Sequence, residues 1–324
     1  MTQQTAHPFD DIRELAQGLP TGDIDVGERV ASKLQQSLGG LQPLGCLSGA
    51  VAWLARWQGT QTPSIAKPLV CVFIGSHQVA ANTIGTDVVE GGKARMASIA
   101  KGSAGVRGIA GNVSALFKVF DMGIEAPAAD MCKEPSLSER ECAGAIAYGM
   151  EVVAEEADMI ILGNAGFGSA TAAAGIARGL YGGAAGYWAG GNGETAVRRI
   201  KAVELATKTH KDKLDDPLEI LRCFGGRDIA GMVGAILAAR HQGIPVLLDG
   251  YTVCAAAAIV HALNPAGLDH CLAAHKTTEP AHGALLERIG KKPLLDYGLG
   301  IGDGSGAALT IGVLRAAAAG SKEL

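Results

Sequence analysis

Aromatic residues are scarce in this chain: Phe, Trp and Tyr make up 4% of its 324 residues. Neither sign of charge dominates, since 28 Lys and Arg face 32 Asp and Glu for a net charge of −4. So small an imbalance offers no footprint for nucleic acid or for an acidic membrane surface. Cysteine pairs are missing as well. The seven cysteines, at positions 46, 71, 132, 142, 223, 254 and 271, form no C-x-x-C. An odd, scattered set argues against a disulfide frame and predicts a reducing, cytoplasmic setting. The start, Met1-Thr-Gln-Gln-Thr-Ala-His-Pro, has neither a basic nor an apolar leader region, so no signal peptide is expected. The uncharged stretches Met159–Ala177 and Tyr251–Leu268 are broken by Gly, Asn, His or Pro, and neither reads as a membrane span.

What is abundant is glycine, 46 residues in all, about twice ordinary usage. With 48% hydrophobic residues, a chain of this length buries roughly three-quarters of its unfolded surface. That combination suits helices packed closely on a sheet with many backbone-lined turns. Four short apolar runs read as buried parallel strands: Leu69–Ile74, Leu116–Phe120, Met159–Leu162 and Val246–Leu248. They end in Gly75-Ser76-His77, Asp121, Gly163-Asn164 and Asp249-Gly250, at the strand ends where open α/β sheets bind ligands. Helices are predicted between them. Asp216-Pro217-Leu218-Glu219 supplies an N-cap, a proline at N1 and an acid at N3. Ser138-x-x-Glu141 is a capping box opening a helix toward Glu155, and Ile229, Met232, Val233, Ile236 and Leu237 have amphipathic spacing. The expected fold is a three-layer α/β/α, Rossmann-like parallel sheet. Residues 1–60 read as a small helical subdomain sharing part of the C-terminal helix, and 61–324 as the α/β nucleotide-binding domain.

Three glycine loops carry candidate chemistry. Gly163-Asn164-Ala165-Gly166-Phe167-Gly168-Ser169 joins a strand to a helix start, where free N–H groups bind anions. Its G-x-x-G-x-G spacing is neither the dinucleotide fingerprint nor a Walker loop, and a plain tight turn explains it equally. Gly298 to Gly306 sets one carboxylate, Asp303, among five glycines before a helix. Asp303 is either a helix cap or a general base, and spacing alone leaves both open. Gly190-Gly191-Asn192-Gly193 precedes a helix with Arg198, Arg199 and Lys201, a phosphate clamp or a solvated basic face. His77 ends the first strand. His270, His275 and His282 share a stretch, but without H-E-x-x-H or a cysteine pair no metal site, and no cofactor, is expected. No G-x-S-x-G elbow occurs, which argues against a serine hydrolase of that type.

The stretches Asp216-Pro217-Leu218-Glu219, Gly225-Gly226-Arg227-Asp228-Ile229-Ala230-Gly231-Met232 and Pro245 to Tyr251 resemble the nicotinate-nucleotide:dimethylbenzimidazole phosphoribosyltransferases. So do Asn264-Pro265, Asp269-His270-Cys271-Leu272 and Gly304-Ser305-Gly306-Ala307-Ala308-Leu309, and the similarity runs over nearly the whole chain. The resemblance implies transfer of ribosyl phosphate from nicotinate mononucleotide to a benzimidazole, giving α-ribazole 5′-phosphate for the cobalamin lower ligand. It also implies a Rossmann-like body with a small helical domain and a homodimer. By position, Asp303 stands for the catalytic glutamate of a G-E-G-(S/T)-G loop, flanked by Gly302 and Gly304. Gly163, Asn164, Gly166, Gly168 and Ser169 overlie the nucleotide loop, Arg199 lies near a phosphate-binding lysine, and His77 and Gly191 complete the substrate-binding set. Departures concentrate at the site. A second glutamate is replaced by Asn164, an arginine by Gly300, and the segment lining the base pocket by Thr86 to Gly92. Two readings follow: a phosphoribosyltransferase using Asp303, or a catalytically impaired paralogue that binds a nucleotide or base as a sensor or dimer partner.

Overall fold

A computed structural model describes residues 7–324; the first six residues of the segment read for a leader lie outside it. Six parallel strands form one sheet in the order β2-β1-β3-β4-β5-β6. They are β1 Pro68–Ile74, β2 Leu116–Asp121, β3 Met159–Asn164, β4 Val246–Asp249, β5 Cys271–Thr277 and β6 Pro293–Leu299. Alternate side chains of each strand enter opposite cores. Leu69, Cys71, Phe73, Ile160, Leu162, Leu248 and Ala273 face one helical layer, and Val70, Val72, Ile74, Ile161, Leu247 and Ala274 the other. Helices on both faces make the three layers that the apolar runs predict, a fold in which parallel strands must be covered twice.

Two strands escape a sequence reading. β5 contains His275 and Lys276, which interrupt the apolar pattern, yet His275 is fully buried because Asp249 accepts its ring N–H. β6 is an edge strand, and three of its seven residues, Asp296, Tyr297 and Gly298, are exposed. The amphipathic spacing from Ile229 to Leu237 falls in the helix Arg227–His241, and burial extends beyond those positions to 12 of its residues, because it lies between the sheet and the helix Glu139–Gly149. A Cβ at Gly149 would strike the Gly231 carbonyl and one at Gly234 the Ile146 carbonyl, so glycine is what lets these two helices touch.

The capping signals appear as local structure. Ser138 and Glu141 make the full capping box, and Asp216 accepts the Leu218 N–H ahead of Pro217. At the N-terminus the helices Ile24–Gln36 and Leu47–Gln58 pack on each other and on Ala317 of the last helix, Ser305–Gly320. The helix Asp10–Gln17 does something different: Ile12 and Ala16, with Phe9 just before it, join the larger core. Ala50 and Leu54 join the second sheet-facing core, so the helices of residues 7–60 are divided among three packing clusters.

The chain passes from β1 outward to β2 and then back across β1 to β3. This reversal opens a crevice at the carboxyl ends of the strands, the place where such sheets hold ligands.

Candidate active site

A cavity of about 570 Å³ lies over the carboxyl ends of β3 to β6. Its floor begins with the loop after β3, which stays in sheet register past the strand end. Phe73 and Gly75 carbonyls accept the Ala165 and Phe167 N–H groups at 3.0 and 2.8 Å, and the Phe167 carbonyl accepts from His77 N at 3.0 Å. The helix Ser169–Tyr181 starts from Gly168, whose φ of +93° suits glycine. Gly168, Ala170 and Thr171 present its uncapped first turn to the cavity. From across the cavity the helix Gly193–Thr209 contributes Thr195 and Arg199, one turn apart on one face.

The Asp303 loop closes the opposite side. Gly163 lets it approach: a Cβ there would overlap the backbone of Asp303 and Gly304, and the Gly302 carbonyl accepts Asn164 N–H at 2.7 Å. Asp303 lines the cavity at 8% exposure, and its Oδ1 accepts the Ser305 N–H at 3.1 Å. Among the described residues no bond reaches Oδ2. One oxygen is thus tied to the helix start, as a cap would be, and the other has no protein partner among the described residues. Burial pushes the Asp303 carboxyl above its ordinary range; the hydrogen bond from Ser305 opposes this, and the buried Asp249 charge adds to it. Beneath the loop, Asp249 Oδ2 accepts Ala307 N–H at 2.7 Å, while its Oδ1 holds His275 Nε2 at 2.8 Å.

A second carboxylate, Glu279, enters from the loop after β5. Its Oε1 accepts from Arg199 Nη2 at 2.8 Å, and the same nitrogen donates to the Ala170 carbonyl at 3.3 Å. Arg199 Nε is buried with no protein partner among the described residues. Glu279 thus holds a guanidinium beside the first turn of the Ser169 helix, with a donor left over for a ligand.

Known proteins share this arrangement of sheet and loops. The sequence profile described as Phosphoribosyltransferase matches residues 19–324. Nicotinate-nucleotide–dimethylbenzimidazole phosphoribosyltransferases from Brucella canis and Rhizobium meliloti are each 43% identical over 316 residues, spanning 96% of this chain and 93% of theirs. The chain belongs to the nicotinate-nucleotide–dimethylbenzimidazole phosphoribosyltransferase family. A crystal structure of such an enzyme from Thermus thermophilus superposes with a TM-score of 0.85 at 28% identity, covering 93% of this chain and 96% of that one.

Of the residues expected at the family's site, Asn164, Gly166, Gly168, Arg199, Gly302 and Asp303 line the cavity. Gly163, Ser169, Gly191, Gly304 and His77 stand outside its wall. His77 is 2% exposed, and its Nε2 lies 2.9 Å from Asp228 Oδ1 and 3.1 Å from Ser169 Oγ. The fully buried Asp228 is the hub of this cluster, for its Oδ2 accepts from Ser169 Oγ at 2.6 Å and Asn164 Nδ2 at 2.8 Å. Ser, His and Asp meet here, yet all three are buried, so they brace the loop rather than offer a nucleophile. Asn164 is correspondingly committed: Nδ2 serves Asp228, and Oδ1 accepts Gly166 N–H at 3.1 Å. It shapes the cavity while both ends of its amide are occupied. Gly191 has a φ of +145° and leads into the Arg199 helix without facing the cavity. The three clustered histidines serve different partners: His270 bonds the Ile236 carbonyl, His275 Asp249, and His282 Thr277 and Cys254.

Sequence reasoning overlooks Glu279, Asp228 and Arg95. Glu279 follows a strand that is itself hard to see, and Asp228 sits inside a motif readable only as scaffold. Arg95 follows the stretch Thr86 to Gly92, where nothing marks one charged residue above its neighbours.

Proposed function

We propose that the chain transfers ribosyl phosphate from nicotinate mononucleotide to 5,6-dimethylbenzimidazole or a related base, the reaction named for its relatives. The observation that carries this reading is Asp303, a carboxylate in the cavity wall with one oxygen unbonded and a raised affinity for protons. The donor's phosphate is assigned to the uncapped turn at Gly168–Thr171 and to Arg199. One benzimidazole nitrogen attacks the anomeric carbon and forms the new N–C1′ bond. The C1′–N bond to the pyridine breaks, and nicotinate leaves with the bonding pair. Asp303 takes the proton from the acceptor's other nitrogen, and its carboxylate steadies the positive charge that develops on the sugar. No feature of the site favours the impaired paralogue. The test is nicotinate release from nicotinate mononucleotide plus dimethylbenzimidazole, followed by chromatography. Binding of both substrates without any release would overturn the reading.

Glu279 acts as a positioning residue in this scheme. Glu279→Gln is expected to raise the KM for nicotinate mononucleotide about 10-fold, since a charge-assisted bond becomes an ordinary one. The acceptor KM should stay within twofold; a loss confined to kcat would instead point to a role in the chemical step.

A homodimer belongs to the same reading, supported by exposed Tyr297, Ile301 and Leu309 at the β6 edge and the start of the last helix. Light scattering is expected to give twice the chain mass, and Tyr297→Lys with Leu309→Lys to shift it to the monomer; a monomeric parent would sink the proposal. A cytoplasmic location is proposed as well, as all seven cysteines are free thiols.

A further inference from the structure

The two arginines of the cavity wall are not equivalent. Arg199 is committed to Glu279 and to the Ala170 carbonyl. Arg95, on the helix Val88–Ala100, lines the same cavity but makes no ion pair or hydrogen bond among the described residues. Lys93, on the same helix, is already satisfied by Glu125 at 2.9 Å and Glu90 at 3.9 Å. The Arg95 guanidinium carbon lies 5.9 Å from the centre of the Phe167 ring. That ring is fixed: its backbone is in sheet register, and its edge occupies the space a side chain at Gly91 would need, one turn before Arg95. The neighbouring wall is apolar, built by Ile84, Ile99 and Ala104, with Ser98 one turn beyond Arg95. An apolar stretch of wall with an unneutralised guanidinium at its border suits an aromatic ring bearing a carboxylate.

The donor in the proposed reaction has two anionic groups at opposite ends, a phosphate and a ring carboxylate. The cavity has two cationic posts. Arg199 shares its position with the helix turn suited to phosphate, which leaves Arg95 for the other anion. We propose that Arg95 reads the carboxylate of the nicotinate ring and makes the enzyme discriminate nicotinate mononucleotide from nicotinamide mononucleotide. The proposal rests on the phosphoribosyl-transfer reading. The amide has the same shape and ring but no charge, so the guanidinium would lose its counter-ion when the amide nucleotide binds.

The experiment compares kcat/KM for the two nucleotides in the parent, Arg95→Met and Arg95→Lys, with dimethylbenzimidazole as acceptor. The parent is expected to prefer the acid, and Arg95→Met to reduce that preference at least ~10-fold through the donor KM. Arg95→Lys should retain part of it, with the acceptor KM within twofold in every variant. An acid-to-amide ratio that survives Arg95→Met overturns the proposal. So does a change confined to the acceptor KM, which would place Arg95 at the accepting base. Calorimetry with free nicotinate and nicotinamide separates the two levels of argument. If the parent transfers nothing yet binds nicotinate in preference, and Arg95→Met abolishes that preference, the carboxylate assignment stands and the transfer reading fails. Equal binding of the two by the parent removes the assignment whatever the turnover.

Discussion

Asp303→Asn is expected to lower nicotinate release by roughly 10²- to 10⁴-fold, the range for loss of a general base, without loosening the fold. The reason lies in how the carboxylate is held. Oδ1 accepts the Ser305 N–H, a bond that an Asn carbonyl oxygen can keep. Oδ2 is the oxygen available for the acceptor's proton, and an amide there can no longer take one. The buried carboxyl has its proton affinity raised, chiefly by burial, so the rate should climb with pH through a midpoint above the usual carboxylate range. Stability runs the other way. A carboxyl whose folded pKa exceeds its unfolded one contributes fully below the unfolded value, and that contribution is lost as pH rises through the folded value. Asp303→Asn escapes this loss. Its urea midpoint at pH 7 is therefore expected to equal or exceed the parent's, while activity falls. Release undiminished in Asp303→Asn would remove the residue from the chemistry. A fall in activity accompanied by a lower midpoint would mean that the cap, not the base, is what the change destroyed. Asp303→Glu provides the control: it keeps a carboxylate in the same loop and is expected to retain activity.

The scaffold was far more legible than the site, for a physical reason. Parallel strands buried on both faces must be continuous apolar runs, and β1, β3 and β4 are. Caps act over three or four residues, so Ser138, Glu141 and Asp216 announce their helices locally. The position of Asp303 was readable too, since a lone acid in a glycine loop before a helix has few uses. What stayed hidden was long-range partnership. The Arg199–Glu279 bond spans 80 residues and the His77–Asp228 contact 151, and no periodicity encodes which distant side chain will arrive. Asn164 shows the consequence. Sequence reasoning places it in the nucleotide loop as a ligand contact, while the structure spends its amide on Asp228 and Gly166. A glutamate there would set a second carboxylate against Asp228, so the neutral residue and the buried acid belong together.

Asp228→Ala should be the most damaging single change to the fold near the site. The carboxylate is completely buried and receives three side chains: His77, Asn164 and Ser169. Removing it strands all three donors where water cannot replace it, a loss of about 3–5 kcal/mol for a broken buried polar cluster. Burial alone would push the Asp228 carboxyl up, but the facing His77 and the bonds from His77, Ser169 and Asn164 outweigh it and hold the value down at about 2. The sign of the pH dependence follows. A depressed folded pKa gives stability that is present above the unfolded value, near 4, and is lost as pH falls toward the folded one. The gap in urea stability between parent and Asp228→Ala should accordingly be widest at neutral pH and narrow steadily below pH 4. Asp228→Asn keeps the shape but cannot accept as strongly from three neighbours, so an intermediate cost of about 1–3 kcal/mol is expected. Function should follow geometry in that variant. With Asn164 and Ser169 less firmly held, the turn at Gly166–Gly168 loses its brace, and the donor KM should rise more than the acceptor KM. A gap independent of pH would show that the carboxylate's charge contributes nothing, leaving its volume as the whole of its effect.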